Sequence, residues 1–396
     1  MKSRLFLLIV LIVPLALVAC GSKEETESPL LRMLHFVPDT SEYRQYLTYG
    51  DAAAWHASWD VPRIDNLEEL QNLSREKRAY WISILSNQTT PPDTLGWQYL
   101  LAEDQRSFYG FDLFNLDRYM LAGQPPDTLT VVEFSMDGAQ IAQALTALGY
   151  DAKTLDEPKG TLYSILDDYE VALDFPTKTG QLGHLNRIAL LEGQMVIAKA
   201  TANVTQALQA RDGERSSLAD RPDYMAAAKA LEDPALQDMG ERVGVILMEG
   251  AQFYASASTL DRNLSAEDLE KYAWQGASLP PYKLVAFATR HSQAQGASYL
   301  ILAVVFDPDV DAGAAAETLA HRLRNYSSLA TQQPLDEYWT FEQATGVEAE
   351  GLPVALVVMR ADDPPPTPQD APLVNTAVFS WMRMIVYRDT LFLALE

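Results

Sequence analysis

Ser298-Tyr299-Leu300-Ile301-Leu302-Ala303-Val304-Val305-Phe306 is an apolar run that ends in Asp307-Pro308-Asp309-Val310-Asp311. Such a run, bounded by turn residues, reads as a buried strand. Beyond the aspartates, Ala316, Leu319, Leu323 and Tyr326 recur at helical spacing, so Asp307, Asp309 or Asp311 is expected to cap a helix. The same order stands earlier in the chain. Thr128 to Phe134 is rich in β-formers, Asp137 follows, and Ile141, Leu145 and Leu148 lie on one helical face with Gly149 as the stop. Strand-like pieces come next in both places: Leu162–Leu166 and Tyr169–Phe175 in the first, Tyr338–Phe341 and Leu352–Met359 in the second. Each series is expected to reach a hairpin, Arg187–Lys199 turning at Glu192-Gly193 and Met384–Leu395 turning at Arg388-Asp389. A helix carrying Val204 and Leu208 and ending near Gly213 follows the first hairpin. The parallel order predicts an internal duplication. The expected fold class is α+β, with two related units of antiparallel sheet, each with helices packed on one face, over residues 30–235 and 236–396.

Working outward, Leu34-His35-Phe36-Val37-Pro38 reads as a first strand. Leu67 to Leu85 has helical spacing, with Ser74 as a cap inside it. The pairs Pro91-Pro92 and Pro125-Pro126 punctuate the chain.

The chain has 396 residues, 48% of them apolar, as in a globular protein. Asp and Glu number 54 against 30 Lys and Arg, a net charge of −24. That acidity argues against nucleic acid and anionic membrane surfaces as partners of the folded body, since both reward Lys and Arg.

The amino terminus has its own logic. Lys2 and Arg4 precede an apolar run from Leu5 to Leu17. The run is too short to span a bilayer, which takes ~20 apolar residues, and Pro14 interrupts it. Leu17-Val18-Ala19-Cys20 resembles the lipobox of bacterial lipoproteins at all four positions. The resemblance implies a signal peptide over residues 1–19, diacylglycerol on the Cys20 thiol, cleavage before it and acylation of the new amino terminus. Cys20 is the one cysteine in the chain, so a lipid there leaves no thiol for disulfides or metal ligation. Residues 20–29 are polar and acidic and read as a flexible tether. At ~3.3–3.6 Å per extended residue it keeps the body within a few tens of ångströms of the membrane. The implied location is the cell envelope, on the outer side of the cytoplasmic membrane or in an outer membrane.

A second resemblance covers residues 100–240. Ser217-Leu218-Ala219-Asp220 with Pro222, Tyr224 and Ala228 follows the helix that ends near Gly213. Phe108-Tyr109-Gly110-Phe111-Asp112 lies upstream, and Gly123 precedes Pro125-Pro126. Together these are similar to a family of secreted bacterial proteins of unknown function, which brings no activity and no site residues to this chain.

Ser74-Arg75-Glu76-Lys77 matches S-x-x-K and Lys178-Thr179-Gly180 matches K-T-G, two parts of the serine acyl-enzyme set. No S-D-N stands between them, and helix cap and loop are the better readings. Asp307, Asp309, Asp311 and Gly313 resemble a calcium loop, but its sixth and twelfth places hold Ala312 and Thr318 rather than Gly and Glu. A looser, weak cation site on the three aspartates stays open. His35, His56, His184, His291 and His321 show no metal-ligand spacing. No G-x-S-x-G elbow favours a triad. Trp55 and Trp59, with Tyr43, Tyr46 and Tyr49 before them, could form an aromatic patch that grips sugar or a partner. Buried, they are core, the commoner fate of such residues.

The expectation is therefore a membrane-anchored extracytoplasmic module without catalytic residues, cofactor or metal. It would bind an envelope protein or an extracellular ligand. The alternative is an envelope hydrolase with an unrecognised site.

Overall fold

All 10 residues of the strand Ala297–Phe306 are buried, so both of its faces are covered. The computed structural model describes residues 27–75, 77–78, 81, 111, 113–156, 159–171, 183–254, 278–328, 333–363 and 376–395. The signal peptide, Cys20, most of the expected tether and Lys178-Thr179-Gly180 lie outside them.

The strands in chain order are β1 (Leu47–Asp51), β2 (Leu116–Ala122), β3 (Leu129–Phe134), β4 (Asp151–Leu155), β5 (Gly160–Ser164) and β6 (Arg187–Leu190). Then come β7 (Gln194–Ala198), β8 (Glu241–Glu249), β9 (Tyr282–Ser292), β10 (Ala297–Phe306), β11 (Thr340–Ala349) and β12 (Leu352–Asp362). They form one 12-stranded sheet in the order β11-β12-β10-β9-β8-β1-β2-β3-β7-β6-β5-β4. Every pairing is antiparallel, including the central one between β1 and β8.

The helices are α1 (Pro29–Leu34), α2 (Ser41–Arg44), α3 (Ala52–Ser58), α4 (Leu67–Asn72), α5 (Gly138–Ala147), α6 (Thr201–Arg211), α7 (Pro222–Ala230), α8 (Ala312–Arg324) and α9 (Thr376–Val386). The chain is thus α+β with a large antiparallel sheet. Helices cover both faces rather than one. On the first face, Leu47, Met120, Val196, Leu284, Ile301 and Val354 pack with α1, α6 and α7 in one continuous core. The second face carries two cores. Ile246, Phe287, Leu302 and Val357 lie with α8 and α9, while Tyr119, Val132, Ile188 and Ile197 lie with α3 and α5. The cause is in the strands themselves. β10 sends Tyr299, Ile301 and Val305 to one side and Leu300, Leu302 and Val304 to the other, and both sides must leave water.

Several expected elements change type. The stretch expected as a first strand is the end and exit of α1. Pro29 opens that helix, the Ser28 hydroxyl accepts from Leu31 N at 3.4 Å, and Leu30, Met33 and Leu34 form the buried face. Glu27, within the expected tether, pairs with His35 at 2.8 Å. Met384–Leu395 is not a hairpin: α9 runs to Val386, and Leu391–Leu393 forms a 3-10 turn. Trp381, Met384 and Ile385 lie at helical spacing in the core, and buried Asp389 accepts from Ser328 Oγ at 2.8 Å and from Tyr326 Oη. Arg322 donates to the carbonyls of Phe392 and Ala394 and holds this segment down. The described part of Tyr169–Phe175 is a turn, with Tyr169 at φ 63. Strand β4 was not expected, because an exposed edge needs no apolar alternation.

The segment with the second resemblance is a structural joint. Ser217 donates to Asp220 through its backbone N at 2.7 Å and its hydroxyl at 2.9 Å. Leu218 N donates to Val37 O at 2.8 Å, and buried Tyr224 donates to Arg44 O at 3.0 Å. Gly123 has φ 83, and a Cβ there would overlap the Asp127 carbonyl.

Candidate functional site

The site is built around the end of α3, which lies over the middle of the sheet against β2, β8 and β9. Asp51 starts the helix, its carboxylate accepting from Ala54 N at 2.8 Å. Trp59 N and Asp60 N still donate back to Trp55 and Ala57, and then Asp60 turns left-handed at φ 50. Val61 N returns to His56 O at 3.1 Å. This reversal sets His56, Asp60, Val61 and Arg63 around one hollow. A short helical turn follows α4, capped by Ser74, whose hydroxyl accepts from Lys77 N at 3.3 Å. Lys77 reaches the same place.

Two clefts meet here. The first, of about 380 Å³, is lined by Ala53, His56, Asp60, Val61, Arg63 and Lys77 among others. The second, of about 290 Å³, shares Asp60, Val61 and Lys77 and adds Trp59, Ser74, His291, Gln293 and Asp363. The first falls within the usual range for ligand pockets and the second just below it.

Within the second cleft, His291 is 2% exposed. Its Nδ1 donates to the Ser58 carbonyl at 3.0 Å and its Nε2 meets Asp363 Oδ2 at 3.0 Å. Trp59 lies flat on the same ring. Asp363 Oδ1 is buried and has no hydrogen-bond partner among the described residues.

Within the first cleft, His56 is 7% exposed and packs against Trp55 and Trp81. Burial pushes its imidazole down to about 4; the Arg63 charge acts in the same sense and a hydrogen bond to the Val61 backbone opposes it. Its Nδ1 has no hydrogen-bond partner among the described residues. Arg63 pairs with Asp117 and donates to Leu116 O at 3.1 Å. Among the described residues neither Asp60 nor Lys77 makes an ion pair, and both are exposed.

The structure brings together Trp59, Ser74, Lys77, His56 and His291 from the sequence candidates, and leaves others apart. Trp55 is core, 2% exposed. Trp59 is spent on internal stacking with His291 and Trp55 rather than offered as a platform. Asp307 pairs with Lys283 at 2.7 Å, Asp311 caps α8 through Ala314 N at 3.0 Å, and Asp309 is exposed in the turn between them. No group of three or more His, Cys, Asp or Glu among the described residues could hold a metal ion. His35 and His184 pair with Glu27 and Thr128, and His321 is exposed on α8. Asp60, Arg63, Gln293 and Asp363 carried no signal in the sequence. The clefts draw on four separated segments, and the left-handed turn at Asp60 has no glycine to announce it.

No helix among the described residues is long and apolar enough to cross a membrane. No family model matches the chain, and no curated protein does. Among solved structures, crystal form III of TP0453 is similar with a TM-score of 0.36 and 9% identity, covering 88% of this chain and 97% of that one. Crystal form IV of TP0453 gives a TM-score of 0.33 and 7% identity, covering 82% and 91%.

Proposed function

We propose that this chain is an extracytoplasmic lipoprotein, held by lipid on Cys20, whose body binds a ligand without transforming it at the paired clefts around Asp60 and Val61. The observation that carries the binding reading is the state of His291. A carbonyl occupies one ring nitrogen and a carboxylate the other. Both ring nitrogens are engaged by groups of the fold, and among the described residues no hydrogen bond joins the ring to Ser74, so the cleft lacks the serine–histidine pair that a triad needs. The hydrolase remains the second reading because Ser74, Lys77, His291 and Asp363 line one cleft.

An internal duplication belongs to the same reading. Outward from the β1–β8 pair, each side runs through three consecutive strands and a strand that returns antiparallel to the third: β7 beside β3, β12 beside β10. The helix after the third strand, α5 or α8, packs on the same face in both halves.

Two experiments test the proposal. Protein extracted from its host's membranes is examined by native mass spectrometry for a retained small molecule and assayed against esters, amides and glycosides. A retained ligand without turnover supports binding; turnover lost in Ser74→Ala establishes the hydrolase instead. Cys20→Ser is expected to abolish lipid labelling and leave the precursor uncleaved. Lipid labelling that persists in that variant overturns the anchor.

A further inference from the structure

The first cleft has a distribution of charge that selects among ligands. Asp60 offers a carboxylate and Lys77 an ammonium group, without ion-pair partners among the described residues, while the Arg63 guanidinium is already engaged by Asp117. A simple anion entering here meets Asp60, and a simple cation meets Lys77 and Arg63. Either leaves one charge of the cleft unanswered.

His56 walls the same end of the cleft, its ring buried against Trp55 and Trp81. Its Nδ1 has no hydrogen-bond partner among the described residues. His56 and Asp60 stand at i and i+4 across the helix end, so ring and carboxylate come from one short segment. Ala53, Ala57, Val61 and Pro62 supply apolar walls around them.

We propose that this cleft takes a zwitterion of amino-acid size, its ammonium group donating to Asp60 beside the His56 ring and its carboxylate accepting from Lys77. The proposal rests on the reading of the clefts as a binding site and names the ligand class that one of them admits. The apolar walls receive the side chain, which favours leucine over glycine. Because Lys77 and Asp60 also border the second cleft, an occupant of one alters the charge seen by the other.

The test is a titration of the full-length protein with glycine, L-leucine, acetate, methylammonium and N-acetyl-leucine. Histidine ring signals are followed by ¹H–¹⁵N spectroscopy and affinities by calorimetry. Expected are a shift of the His56 nitrogen signals by the zwitterions, and binding of acetate, methylammonium and N-acetyl-leucine about tenfold weaker or worse. Asp60→Asn, an exposed change that the left-handed turn accepts, and Lys77→Gln should each weaken leucine about tenfold. His56→Phe should remove the reporting signal and so assign it. Leucine binding unchanged in Asp60→Asn overturns the proposal even if His56→Phe fails to fold. Acetate or N-acetyl-leucine binding as tightly as leucine overturns the zwitterion and leaves the cleft a binding site. Silence from every probe overturns both.

Discussion

The indole of Trp59 lies flat on the imidazole of His291, with ring centres 3.7 Å apart and planes 6° from parallel. The contact joins the end of α3 to the end of β9, where the two cores of the second sheet face adjoin. Hydrogen bonds from the same imidazole reach Ser58 and, beyond the end of β12, Asp363. One buried ring thus ties three elements together.

Replacing His291 by Ala leaves the Ser58 carbonyl and the Asp363 carboxylate without their partner. The expected cost is about 2–3 kcal/mol, because polar groups that lose a buried partner keep their desolvation penalty. Chemical denaturation measures it. Trp59→Phe, which retains a ring over the imidazole, should cost less than half as much; equal losses would show that stacking is not what Trp59 contributes.

Arg118 lies between two carboxylates, with Asp51 Oδ2 at 2.8 Å and Glu133 Oε2 at 3.1 Å. Asp51 also accepts from Tyr49 Oη at 2.9 Å and caps α3. Asp51→Ala removes the cap and the contacts to Tyr49 and Arg118 and leaves the half-buried guanidinium with Glu133 alone, an expected loss of about 2–3 kcal/mol. Asp51→Asn keeps a capping oxygen and should lose clearly less. Urea midpoints of the two variants separate cap from charge.

His56 gives the protein a pH dependence whose sign follows from burial. Its imidazole is pushed down to about 4 from an ordinary 6.5. Between those values the unfolded chain holds a proton that the folded chain refuses. Stability is therefore full above the unfolded value and declines as the pH falls toward the folded one. The whole difference amounts to roughly 3 kcal/mol. Urea midpoints measured from neutral pH downward should fall less steeply in His56→Gln than in the parent chain. Identical slopes would mean that His56 is hydrated in solution.

Asp311 acts as a helix cap and Asp307 as an ion-pair partner. Asp311→Ala should cost about 1 kcal/mol, and calcium should leave the Tm of the parent chain where it was. A calcium-dependent rise in Tm that disappears in Asp307→Asn would restore the loose cation site.

Much of the framework was legible in local chemistry. Apolar runs marked β3, β10 and the hairpin of β6 and β7, and Asp137 and Asp311 marked the starts of α5 and α8 through free N–H groups that any carboxylate at that offset satisfies. These are signals within a few residues of each other. The misreadings fell where a short apolar stretch admits either period. Leu34–Val37 and Met384–Leu395 are as apolar as strands, and the outcome depended on Ser28 and Pro29 in one case and on Tyr326, Ser328 and Arg322 in the other.

By itself, the sequence determined an acidic, sheet-rich α+β chain, because charge, composition and strand-forming runs are properties of contiguous residues. It did not determine that β1 and β8 join everything into one sheet, nor that helices cover both faces, since strand partners are chosen by burial across the whole chain. The clefts belong wholly to that second level. Trp59 and His291 are distant along the chain, and what each offers to a ligand is decided by the carbonyl, the carboxylate and the ring that the fold sets against it.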